Sequence, residues 1–356
     1  MCADRHDLFQ ECSPTDCISC YGMHMTPSAL ADWVELYALR GRRTPWPALA
    51  NALKDSGLAS GLIDSRELED ERYGFNYLGI DDPDCEEFGN EPDDETSAFE
   101  DQPEQLSAYE ILEQRSSLLD ESYPFEFDRN DCLSLKEGYP VSSSSYIWLL
   151  KISLMKGWIY PKDQSILLPI TRLFEYVVSL ALRMGGLSAE VVGTAGGSGF
   201  MERVGRCTQA LNLPFRPQGL SIPNNAQDMG VDVLGGYLWD DYRVGENIWL
   251  VQAACGKEEA WEDKSMHIDS AKWGRLLGDD YCVPLSLIAV PYHMTNDAVR
   301  DVLHYSESRS FLDRIRLVIM MGKVVNFKEN YQGASRAQAL EDCETVSDLV
   351  RSSLGV

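Results

Sequence analysis

The sequence is short of positive charge: 31 Lys and Arg stand against 57 Asp and Glu, a formal net charge of −26. A chain of that sign repels nucleic acid at long range, which excludes tight DNA binding unaided by a partner. Long apolar runs are also lacking. No run of about 18 apolar residues occurs, and the opening MCADRHDLFQEC carries no apolar leader segment, so neither a membrane span nor a secretory signal is expected. The ten cysteines follow no framework spacing, which argues against a disulfide scaffold and for a reducing, cytoplasmic setting. Nor is there an internal repeat, so solenoids and propellers are excluded.

What is present is unevenly spread. At 356 residues and 44% hydrophobic, the chain suits two domains: an acidic, mainly helical interaction domain over 1–150 and a second domain over 151–356. Residues 61–131 hold 24 acidic and 4 basic residues, a balance of −20, whereas residues 151–356 hold 25 and 21, a balance of −4. Within the acidic half, the stretch near 81–105 reads as a loop or disordered segment, a solvated linker before it is anything else. Around it the spacing predicts helices. Thr26-Pro27-Ser28 opens one that places Leu30, Trp33, Val34, Tyr37 and Ala38 on one face, and others follow over Pro47–Asp55, Ser107–Leu119 and Tyr146–Met155. Cys12, Cys17 and Cys20 with His6 and His24 have zinc-ligand chemistry, but without a second CxxC pair ordinary tail cysteines are the better reading.

The most informative stretch runs from Asp228 to Lys264. Two strands are expected, Gly230–Leu234 closed by Gly235-Gly236, and Ile248–Gln252, joined by a polar hairpin from Tyr237 to Asn247. Each strand carries a polar residue where burial is costly, Asp232 and Gln252, and Lys257 and Lys264 follow. An acid, an amide oxygen and a lysine in this order can hold a divalent metal beside a phosphodiester. The plainer alternative makes Asp232 a turn cap, Gln252 a strand end and both lysines solvent-facing. Upstream, Ile166–Met184 has helical spacing and a Gly185-Gly186 stop, and it carries Glu175 beside Phe174. Gly193 to Gly199 precedes a helical stretch, Phe200–Leu211, but lacks the Lys-Ser/Thr ending of a P-loop. Downstream come a helix Ser270–Leu277, a strand Val283–Pro291, a helix Ser310–Met321 and a last sheet element over Lys323–Phe327.

Asp232, Gln252 and the Phe174-Glu175 pair, in this order of elements, resemble the PD-(D/E)XK nuclease superfamily over roughly residues 165–330. The resemblance implies an α/β fold: a restriction-endonuclease-like mixed sheet flanked by helices. That core is a helix, a three-stranded meander, a second helix and a further strand. Its metal is held by an Asp on the second strand and a Glu or Gln on the third, with a Lys two residues later. Carried onto this chain, the resemblance implies Asp232, Gln252 and Glu175 as ligands of Mg2+ or Mn2+; beside it, the glycine-rich loop allows a close backbone approach to substrate, which would set Ser198, Arg203 and Arg206 facing DNA. The expected lysine is replaced by Ala254, so Lys257 or Lys264 has to reach in from a displaced position. The implied activity is a metal-dependent DNA endonuclease of an anti-phage defence or restriction system, working beside an ATPase or helicase, and able to self-associate. The alternative is an inactive nuclease-fold adaptor or DNA mimic. A nucleotide-binding regulator using the glycine-rich loop is the third reading.

Overall fold

The computed structural model describes residues 27–39, 41, 108–128, 132–154, 164–193, 199–217, 229–239, 245–255, 268–278, 283–305, 310–326 and 348. Helix α1 (Pro27–Leu39) starts on its proline, as expected from a residue with preset φ and no N–H to satisfy. Helices α2 (Ala108–Leu119) and α3 (Ser145–Leu154) stand where the spacing puts them. Between them lies a small hairpin, β1 (Phe125–Phe127) and β2 (Leu133–Leu135), which no sequence signal announced. The helix expected over 47–55, the segment 81–105 and the N-terminal cysteines fall outside the described residues.

The second half is built on helix α4 (Gln164–Met184) and a five-stranded sheet. Gly185 and Gly186 close α4 as expected. The Leu187 amide donates to Leu182 O at 3.0 Å and the Gly186 amide to Arg183 O at 3.0 Å, with Gly186 at φ 92°, which glycine adopts without steric cost. The strands are β3 (Ser188–Val191), β4 (Val233–Tyr237), β5 (Asn247–Ala253), β6 (Leu285–Ala289) and β7 (Ser310–Leu312). They lie in chain order; β4 runs antiparallel to both β3 and β5, while β5, β6 and β7 are parallel. Helix α5 (Phe200–Ala210) follows β3. Helix α6 (Ser270–Leu277) links β5 to β6, α7 (Asn296–Tyr305) links β6 to β7, and α8 (Arg314–Asn326) follows β7.

The sheet is covered on both faces. Val233, Val251, Leu287, Ala289 and Leu312 pack toward α4 and α8, in a core that also takes in α1, α2 and α3. Leu234, Ile248 and Leu250 pack toward α5 and α6, and Ile288 and Phe311 belong to a cluster beside α7. Helices from both sides of residue 150 therefore share one core.

Several expected boundaries are corrected. The strand expected at Gly230–Leu234 begins only at Val233 and runs on through both glycines to Tyr237. Its neighbours press on those glycines: a Cβ on Gly235 would lie 2.7 Å from Ser188 O, and one on Gly236 2.1 Å from Asn247 O. Ser310–Leu312, expected to open a helix, pairs with β6 instead, and Lys323 to Asn326 end α8 rather than adding a strand. Helix α1 is not one-sided. Asp32 and Glu35 are buried along with Leu30, Val34 and Ala38.

Those two acids meet two buried arginines. The Arg314 guanidinium takes Asp32 in a bidentate pair at 2.7 and 2.8 Å, while Arg115 reaches Asp32 at 2.8 Å and Glu35 at 3.0 Å. Tyr123 and Tyr146 each donate a hydroxyl to Glu35 Oε1, at 2.8 and 2.7 Å. Burial alone would raise the Asp32 carboxyl; Arg314 and then Arg115 outweigh it and hold the group below its ordinary range. This cluster ties α1 to α2, α3 and α8 at the level of the sheet.

Candidate functional site

Asp232 sits one residue before β4, at the sheet end where β3 and β5 finish. Its amide donates to Val251 O at 2.9 Å, and its carbonyl accepts from Val192 N at 2.8 Å and Gly193 N at 3.3 Å. This wedges the residue between the ends of β3 and β5. Its side chain turns back along β5: Oδ2 accepts from the Ala253 amide at 2.8 Å. The β4–β5 register ends at Val233 opposite Val251, so one further step sets Asp232 against Gln252.

Gln252 is the last strand residue but one, buried at 7% exposure. Among the described residues its Oε1 has no hydrogen-bond partner. A buried amide oxygen left in that state costs about 1–3 kcal/mol, which gives it a reason to meet a ligand.

Glu175 arrives from the opposite layer. It lies midway along α4, buried at 4% exposure between the fully buried Phe174 and Val178, so it is not a surface glutamate. Its carboxylate rests on Gly193, the residue bonded to Asp232 O: a Cβ there would lie 2.0 Å from Glu175 Oε2. The glycine matters because the carboxylate occupies the space a side chain would need. Spacing had marked Gly193 only as one of several loop glycines.

The three expected ligands thus share one end of the sheet, linked through Gly193 and Asp232. Their donor set is hard oxygen, which suits Mg2+ or Mn2+, and the partnerless Gln252 Oε1 fits such an ion. The set contains only two carboxylates. Among the described residues no group of three or more His, Cys, Asp and Glu side chains could hold a metal by itself.

The expected cations divide. Lys257, Lys264 and Ser198 lie outside the described residues. Arg203 and Arg206 both lie on α5 but do not act as a surface pair: Arg203 is buried, its Nε donating to Val192 O at 2.9 Å, whereas Arg206 is exposed. The spacing put them one turn apart; the packing of α5 on the end of β3 turns only the first inward. Cys207, on the same inner face, donates its thiol to Val191 O at 3.3 Å, and burial, then Glu190, pushes it up to about 11. Ala254, where the resemblance would place a lysine, is wholly buried with Ile288, Val290 and Phe311.

Beyond this site, sequence reading missed the buried quartet Asp32, Glu35, Arg115 and Arg314, and also His293. The signal for the first was present: two acids three residues apart on an otherwise apolar helix share a face. No helix among the described residues is long and apolar enough to cross a membrane. Comparison with protein-family models, with curated proteins and with solved structures found no match to this chain.

Proposed function

We propose that this chain is a metal-dependent nuclease of restriction-endonuclease-like fold that hydrolyses DNA phosphodiesters, with Glu175, Asp232 and Gln252 holding Mg2+ or Mn2+. The observation that carries the proposal is that Asp232 stands one register step on from the last β4–β5 pair, opposite Gln252, at the sheet end where Gly193, bonded to Asp232 O, seats the Glu175 carboxylate. The order of elements supports it: helix α4, three antiparallel strands β3, β4 and β5 with α5 inserted between the first two, then helix α6 and the parallel strand β6, with Asp232 one residue before β4 and Gln252 near the end of β5. Bound there, the metal supplies a water of lowered pKa and positive charge against the developing phosphorane. Of the protein groups, Glu175 and Asp232 offer anionic oxygens. Asp232 is aimed by the Ala253 amide, and Gln252 gives a neutral oxygen whose desolvation the fold has already met. In the reaction the water oxygen bonds to phosphorus, the P–O ester bond breaks, and the leaving oxygen takes up a proton.

The net charge of −26 makes DNA affinity weak alone, which supports a partner such as an ATPase or helicase. A second reading is favoured by one observation: with Ala254 buried in an apolar cluster, the chain is an adaptor on a nuclease fold without catalysis. Calorimetric titration with Mn2+, paired with a plasmid nicking assay, separates the two. Stoichiometric binding abolished by Asp232→Asn, together with nicking, is expected. A folded protein that takes up no metal would end the nuclease reading.

A further inference from the structure

Away from the sheet end described above, His293 is a buried polar group that packing alone does not explain. It sits in the segment after β6 at 4% exposure, and among the described residues neither ring nitrogen has a hydrogen-bond partner. A neutral imidazole carries one N–H donor and one acceptor, so both polar atoms lose their water without a replacement. Leucine or methionine would fill the place without that cost.

Its surroundings narrow the explanation. The segment 291–294 is the seam along which α1 and α8 meet the end of β6. The Ser28 hydroxyl, on α1, donates to His293 O at 3.0 Å. Arg314 Nε donates to Pro291 O at 2.9 Å, the Arg314 amide to Tyr292 O at 2.8 Å, and the Met294 amide to Asp313 Oδ2 at 3.2 Å. The charged groups acting on the imidazole are Asp32 from α1, Arg115 from α2 and Arg314 from α8, with Asp313 Oδ2 at 3.8 Å from its Nδ1. Glu35, the remaining acid of the quartet, is paired with Arg115 at 3.0 Å.

Two acids and two guanidiniums make the quartet neutral as built, and all four are already paired. A proton on His293 therefore adds a third cation to Arg115 and Arg314, with Asp313 left to answer it. That carboxylate is a weak partner. It already accepts from the Met294 and Arg316 amides, Arg316 and Arg314 act on it as well, and burial favours its neutral form.

We propose that His293 is the trigger of an acid-sensitive latch: when its imidazole takes up a proton, repulsion from Arg115 and Arg314 opens the seam and frees α1 from the end of β6. Opening lets the charged ring reach water, which the closed seam denies it. The closed state binds the proton less readily than the open one. The latch is therefore shut above about pH 6.5 and loosens below it, by roughly tenfold per pH unit for one proton. It is independent of the nuclease reading.

Hydrogen exchange of the full chain, read by mass spectrometry at about pH 7.5 and about pH 5.5 and corrected for intrinsic exchange, tests the latch. Amides of α1 should lose about tenfold in protection on acidification, while those of α4 keep theirs. His293→Asn and His293→Gln, which cannot take the proton, should hold α1 equally well at both pH values. Unchanged α1 protection in the wild type overturns the latch. So does loss of α4 protection in step with α1, which is global unfolding, and so does a wild-type pH response in either variant, which places the proton elsewhere. A chain that folds with neither substitution shows His293 to be needed in its neutral form, and that outcome overturns the latch as well.

Discussion

Replacing Gly193 by alanine places a methyl group 2.0 Å from Glu175 Oε2 and 2.8 Å from its carboxyl carbon. Ordinary contact begins at 3.4 Å, so the oxygen has to retreat by about 1.4 Å, or the end of β3 has to shift. Neither is easy. Glu175 is buried between Phe174 and Val178, which have no exposed surface, and Gly193 N is bonded to Asp232 O. Overpacking of this kind costs about 1–3 kcal/mol of stability. A displacement on the order of 1 Å in a site's ligands costs roughly a hundredfold in rate. The prediction is therefore double: Gly193→Ala lowers the urea-unfolding free energy by that amount, and it weakens Mn2+ binding in calorimetry. Glu175→Asp in the same chain withdraws the carboxylate by one methylene, so the double variant should recover most of the stability that alanine removes. The coupling is measured by a double-mutant cycle. A Gly193→Ala protein with unchanged stability and unchanged metal affinity would refute the seating of Glu175 on this glycine, and with it the three-residue site.

Four further outcomes are expected. Arg314→Met leaves Asp32 and Glu35 buried with Arg115 alone and should cost about 3–5 kcal/mol in urea unfolding, with Asp32→Asn in the same chain restoring part of the loss; a cost under about 1 kcal/mol would mean the quartet is solvated in solution. Asp232→Asn, which keeps an acceptor for the Ala253 amide, should melt like the wild type yet bind no Mn2+ and cut no DNA, and retained cleavage would remove Asp232 from the site. His293 is buried near Arg115 and Arg314, with Asp32 opposing them and Asp313 at 3.8 Å; burial first, then the two arginines, hold its pKa well below the ordinary value. The unfolded chain then takes the proton first, so this contribution to stability is whole above about pH 6.5 and is lost as pH falls below it; His293→Asn should flatten that dependence in urea titrations, and an unchanged dependence would refute it. Deleting Asp81 to Gln105 should strengthen non-specific DNA binding most at low salt, since screening already removes repulsion at high salt, and equal binding at low ionic strength would make the segment a linker only.

Sequence by itself determined the elements whose signals are local. Helix α4 was legible from its apolar spacing and glycine stop, α6 from its short amphipathic run after Asp269, and β5 from an apolar run bounded by polar turns. Asp232, Gln252 and Glu175 stood out because each is a polar residue inside a pattern that predicts burial, and burial of a polar group is costly enough to need a reason. Tertiary structure decided the rest, because those choices depend on partners far along the chain. Ser188–Val191 is a strand only because β4 pairs with it, and Ser310–Leu312 only because β6 does; three or four residues carry too little periodicity to choose alone. Gly235 and Gly236 read as a stop until β3 and β5 close on them. The apolar face read from the spacing of α1 did not take in Asp32 and Glu35, and the arginine that takes Asp32 in a bidentate pair lies 282 residues away. The same limit hid the difference between Arg203 and Arg206: one turn of a helix separates them in sequence, and only the packing of α5 against the end of β3 buries one and leaves the other exposed.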